Sequence, residues 1–238
     1  MTTLVPLLLV SIAPPTVDPA AQPPACVFDS ATRLLTCHAE PAVRLPIPGG
    51  FRFLGGVVFD LGEKARVDRR LLARVEGDRV EALLVLQFEG FLPGVEGRYA
   101  FSIPPADQLA GSNYRFSPEP VGLGGHRWVH NTWAFDNAAS ARESPGYESD
   151  RTIRFLTDQG LELPPELIMS RFVRAVGEDA RRELILFYME PLALHGHTLA
   201  DFPDGGAPSE AYDRLSAEVT TRSLAIFRAL EDPATTTP

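Results

Sequence analysis

Arg79-Val-Glu-Ala-Leu-Leu-Val-Leu-Gln-Phe-Glu-Gly-Phe-Leu92 decides the architecture of this chain. Val80, Ala82, Leu84, Leu86 and Phe88 share one parity, and all are apolar, as one buried face of a strand requires. The other parity runs Glu81, Leu83, Val85, Gln87, Glu89, so its middle is apolar as well. A strand apolar on both faces belongs at the centre of a sheet that is covered on both sides. Arg182–Leu192 (RELILFYMEPL) reads the same way, and the two segments make the predicted centre of the sheet.

Outward from these, Phe51–Leu61 (FRFLGGVVFDL) is a strand whose Gly55-Gly56 pair marks a bulge or a close backbone approach. Arg66–Glu76 is a further strand turned by Gly77-Asp78, with short strands at 99–103 and 114–116 and a longer one at Arg127–Phe135. Residues 137–146 read as a loop. Ser149 caps a helix running to Gln159 and closed by Gly160. Pro164-Pro165-Glu166 opens a second predicted helix, striped by Ile168, Phe172 and Val176 with Met169 and Val173, and stopped by Gly177. Ser209 caps a third, with Tyr212, Leu215, Val219, Ile226 and Leu230 as its apolar stripe. The expectation is an α+β fold: a mostly antiparallel central sheet covered by helices, in two or three layers, forming one domain over residues 40–231.

Three segments carry a resemblance: Val85–Pro93 (VLQFEGFLP), Ser149-Asp150-Arg151 leading to Phe155-Leu156, Gly160 and Leu163-Pro164, and Arg182–Glu190 (RELILFYME). They resemble a family of bacterial α+β proteins without known activity. The match consists mostly of strand cores, so it implies architecture and no chemistry. The layout is also similar to that of the photosystem accessory protein PsbP and the nuclear-transport factor Mog1, a likeness of fold that does not fix function.

The whole chain has 238 residues, 45% hydrophobic and 22% charged, with a net charge of −9. That is globular material, and it excludes collagen-like, coiled-coil and wholly disordered chains. The acidic balance argues against nucleic acid as a partner. Residues 1–25 read as a secretory signal, with an apolar stretch from Leu4 to Ala13, followed by a Pro-rich linker. The apolar stretch is too short for an integral membrane span. Residues 232–238 read as a tail.

Cys26 and Cys37 support the same compartment. Pairing 26 with 37, 27 with 36, 28 with 35 and 29 with 34 makes residues 26–39 a hairpin with a four-residue loop at 30–33. The cysteines then stand directly opposite and within disulfide range, a bond that persists outside a reducing cytosol. A secreted or periplasmic location follows as an expectation.

Chemistry is sparse. No Walker A loop, G-x-S-x-G elbow or C-x-x-C-H motif is present, and Gly122-x-Gly124-Gly125 precedes a strand instead of a helix. The richest stretch runs from His126 to Asp150. Trp128, His130, Trp133, Asp136, Arg142 and Asp150 are its candidates for walling a ligand pocket. His195 and His197 form an H-x-H pair that, with His130 or Asp136, is a candidate zinc or copper site. Glu89 and Glu190 each end an apolar strand and are candidates for an acid/base pair. The leading expectation is a binding or accessory protein without catalysis or a required cofactor, its partner a small molecule or an envelope protein. The alternatives are a metal-dependent or carboxylate hydrolase and a structural factor of the cell envelope.

Overall fold

Strand pairing in a computed structural model, which describes residues 26–109, 112–202 and 209–232, follows the two-faced strands. The elements are β1 (Cys26–Asp29), β2 (Leu34–Cys37), β3 (Val43–Pro46), β4 (Phe51–Leu61), β5 (Ala65–Glu76), β6 (Arg79–Phe91), β7 (Arg115–Phe116), β8 (Val121–Leu123), β9 (His126–Asp136), α1 (Asn137–Glu143), α2 (Glu148–Thr157), β10 (Glu166–Val176), β11 (Arg182–Pro191) and α3 (Glu210–Phe227). The main sheet runs β4-β5-β6-β11-β10-β9-β7, with β8 also paired to β9, and every pairing is antiparallel. β6 and β11 are adjacent at its centre, as their apolar faces demand. The signal and linker expected at residues 1–25, and the tail beyond Asp232, lie outside the described residues.

β10 corrects the sequence reading: residues 166–176 are a strand and not a helix. A spacing of four puts Ile168, Phe172 and Val176 on one side of either element, so the stripe cannot distinguish them. Pairing does. β10 lies between β9 and β11, with Ile168 and Phe172 in one core and Met169 and Val173 in the other. Three smaller corrections follow. Residues 137–143 are helical because Asp136 caps them, its Oδ1 accepting from Ala139 N at 2.8 Å. The next helix starts one residue before Ser149, with Tyr147 as its cap. Residues 99–103 form no strand.

Two cores flank the main sheet. On the first face, Leu84, Leu86, Trp128, Phe172 and Leu186 meet α3 through Tyr212, Leu215, Val219, Ile226 and Phe227. Ser209 Oγ caps α3 by accepting from Tyr212 N at 3.1 Å. The small sheet β1-β2-β3 joins this core through Cys26, Leu35, Cys37 and Leu45. Its hairpin has the expected register, and Cys26 and Cys37 form a disulfide. Arg33 fastens the hairpin loop to the start of β4, donating to the carbonyls of Ile47 and Phe51 at 3.0 and 2.8 Å. Asp232 is buried at this edge between His126 and Arg174, at 2.8 and 3.3 Å, and is not part of a tail.

The second face carries Leu71, Leu83, Val85, Met169, Val173, Ile185, Phe187 and Met189, covered by α2 through Leu156. β4 bulges at Gly55, and the backbone of β5 comes so close to Gly56 that a Cβ there would stand 2.4 Å from the Arg69 carbonyl. Here the Gly-Gly pair serves close approach as well as the bulge.

Candidate functional site

A cavity of about 800 Å³ lies on the second face, between the sheet and α1–α2. Its volume falls in the range of small-molecule sites. Met169 on β10, Ile185, Phe187 and Met189 on β11, and Trp133 and Phe135 on β9 give it an apolar floor and wall. Tyr114 stacks on Trp133 with ring centroids 5.3 Å apart, extending the aromatic wall. Asp136, Asn137, Ser140, Glu148 and Thr152 line it from the helix side.

The candidates expected between 128 and 150 divide. Trp133 and Asp136 line the cavity. Trp128 does not: five positions from Trp133, it projects from the opposite side of β9 and is fully buried in the α3 core, donating to the Leu123 carbonyl at 3.0 Å. An odd separation on a strand forbids a shared face. His130 shares the parity of Trp128. Its ring nitrogens meet Ser117 Oγ at 2.8 Å and Ser170 Oγ at 2.9 Å, and Ser170 passes the network to Ser223 on α3. Arg142 projects into solvent, 4.0 Å from Asp136. Asp150 caps its own neighbourhood, accepting from Gly146 N and Arg154 Nε at 2.7 Å each.

The histidines do not converge either. His195, in the turn after β11, bonds Glu190 at 2.9 Å, and His197 stands 3.8 Å from Asp201. Among the described residues no three His, Cys, Asp or Glu side chains are grouped to hold a metal ion. Glu89 and Glu190 lie on opposite faces of the sheet. The residue directly across from Glu89 is Glu183, and Glu190, seven positions further along β11, projects the other way.

Buried Glu183 and half-buried Glu89 therefore form an adjacent acid pair, and sequence reasoning missed Glu183. It is 5% exposed and lines the cavity. Burial first, and the neighbouring Glu89 carboxyl second, push its carboxyl up to about 8, so one proton stays with the pair at neutral pH. Glu89 accepts from Tyr99 Oη and Gln87 Nε2, both at 2.9 Å. Arg69 on β5 and Arg171 on β10 were missed too. Both line the cavity, and the Arg69 guanidinium lies 5.4 Å from the centroid of the Phe187 ring. Burial lowers the Arg69 pKa to about 10, which leaves it cationic at neutral pH. The signal for Arg171 was present in ELIMSRFVRAV: once this is a strand, Arg171 shares a face with Met169 and Val173.

His130, on the α3 side of the sheet, gives the fold a measurable pH dependence. Burial pushes its imidazole down to about 4, so the folded state keeps it neutral while the unfolded chain protonates near 6.5. Between those values the unfolded state binds more protons, and stability rises with pH. The expected gain from His130 is on the order of 3 kcal/mol across the window. Urea unfolding of wild type and His130→Asn from pH 4 to 7 isolates it. Identical pH profiles for the two proteins would refute a buried neutral imidazole.

No family model, curated protein or solved structure matches this chain, so the likeness of layout to PsbP and Mog1 gains no support from comparison.

Proposed function

We propose that this protein binds a small, mostly apolar molecule in the cavity between its sheet and α1–α2, without transforming it. The observation that carries the reading is the cavity itself: about 800 Å³, walled by Trp133 on β9, Met169 on β10 and Phe187 and Met189 on β11. Methionine and aromatic side chains on a preformed surface suit an apolar ligand of variable shape. The hydrolase alternative draws no support from the separate partners of His130, His195 and His197. The disulfide supports a secreted or periplasmic setting for the binding protein.

Titration with Nile red, a neutral apolar dye, tests the cavity. Saturable uptake with quenching of Trp133 is expected, and Trp133→Phe should remove the quenching but keep the uptake. Thr152 is buried on α2 and lines the cavity. Thr152→Trp should fill the space and lower dye affinity at least tenfold, with the circular dichroism spectrum unchanged. If folded wild type takes up no dye, or Thr152→Trp binds it equally well, the reading is wrong.

A further inference from the structure

The cavity floor carries more charge than an apolar ligand requires. Elsewhere on the sheet and α3, arginines stand beside acids: Arg70 with Asp68, Arg174 with Asp232, Arg222 with Glu190. Arg69 and Arg171 have no such partner. Arg69 is 3% exposed, and the described residues place no acid within 4.0 Å of either guanidinium; its Nε, like those of Arg70, Arg174 and Arg222, is buried without a hydrogen bond. Asn137 Nδ2 and Thr152 Oγ1 are also buried without partners, and both residues line the same cavity. Unsatisfied buried polar atoms are costly and uncommon in native folds, and here several gather around one space.

The two arginines approach the same aromatic side chain from different strands. Arg171 lies directly opposite Phe187 on the adjacent strand, and Arg69 sits over the same ring. Acids line the cavity too: Glu89 and Glu183 beside the sheet, and Asp136, Glu143 and Glu148 from the helix side. Arg69 and Arg171 are the only cations among the described lining residues, and Glu148, Glu89 and Glu183 act on them through space without bonding them. An anionic headgroup is therefore gripped at the two guanidiniums, and one negative charge meets less repulsion from the surrounding acids than two.

On the reading that the cavity binds a ligand, we propose that this ligand is an amphiphile with a single carboxylate, held beside Phe187 by Arg69 and Arg171, its apolar body lying against Trp133, Met169 and Met189. Guanidinium groups suit a carboxylate because their planar N–H pairs match its two oxygens. The apolar floor then accepts the rest of the molecule without any further charge.

A headgroup series on one tail tests this by displacement of Nile red from the full chain: dodecanoate, dodecanol, dodecylamine and dodecyl phosphate. Dodecanoate is expected to bind roughly ten- to a hundredfold more tightly than dodecanol, the range for hydrogen bonds to charged groups. Arg69→Gln and Arg171→Gln should each remove most of that margin, read as the ratio of dodecanoate to dodecanol affinity within the same variant, with the circular dichroism spectrum showing that each variant is folded. Arg69→Lys, which keeps the charge without the planar fork, should retain part of it. Equal affinity for dodecanoate and dodecanol, tighter binding of the amine or phosphate, or a margin that survives both glutamine variants would each overturn the carboxylate assignment while leaving the cavity reading intact. Failure of the dye to enter wild type would overturn both.

Discussion

Replacing Glu190 with alanine is expected to cost about 3–5 kcal/mol of stability, the usual penalty for breaking a buried charge network by removing one partner. Glu190 is buried, with its side chain 3% exposed, on the α3 face of β11. Burial pushes its carboxyl up, but hydrogen bonds from His195, Tyr188 and Arg222 outweigh that and hold it below the ordinary carboxylate range. His195 Nε2 lies at 2.9 Å and Arg222 Nη2 at 2.8 Å, while Tyr188 Oη donates to the other oxygen. The acid thus ties the turn after β11 to α3. Removing it strands a buried tyrosine hydroxyl and a half-buried guanidinium at once. Urea unfolding should show a lower midpoint with an unchanged slope. The double variant Glu190→Ala/Arg222→Ala should lose less than the sum of the two single variants, because the partners are coupled. A loss below about 1 kcal/mol, the range of an exposed ion pair, would show that the network is a surface contact in effect.

Glu190 and Glu183 mark where sequence reading succeeds and where it stops. Both sit on a strand whose place at the sheet centre, like that of its neighbour β6, is legible from period-two patterning. Which acid faces which depends on the pairing register, and no local pattern states that Glu183 is opposite Glu89. Parity alone carries some of this information. Trp128 and Trp133 are five apart on one strand, so they could not share a pocket wall, and only Trp133 lines the cavity. The helix expected at 166–176 failed on an ambiguity of spacing, since residues four apart align on both elements. That misreading hid Arg171 by leaving it off the face it shares with Met169. Arg69 was hidden differently: RVDRRLLARV holds several arginines, and only the fold separates those beside acids from the one aimed at the cavity. The hairpin needed no tertiary knowledge. Its cysteines and loop are related by local symmetry, and its register follows from that.

Opening the Cys26–Cys37 bond is expected to lower stability by about 3 kcal/mol, the chain-entropy value for a loop of this length. The two cysteines are 11 positions apart, so the bond restrains a short loop in the unfolded chain. Native packing makes the cost global. Cys26 and Cys37 are 2% and 1% exposed, and they sit in the same core as Leu84, Leu86 and α3. The hairpin cannot unfold without uncovering that core, and Arg33 holds its loop against β4 through the Ile47 and Phe51 carbonyls. Thermal unfolding with and without a reductant should therefore show one transition displaced downward by roughly 6–12 °C, given about 2–4 °C per kcal/mol for a chain of this size. Cys26→Ala/Cys37→Ala should fall at least as far and no longer respond to reductant. Two separate transitions would mean that the hairpin is an independent appendage. An unchanged midpoint on reduction would mean that packing and the Arg33 contacts alone hold it, and that the disulfide contributes little to stability.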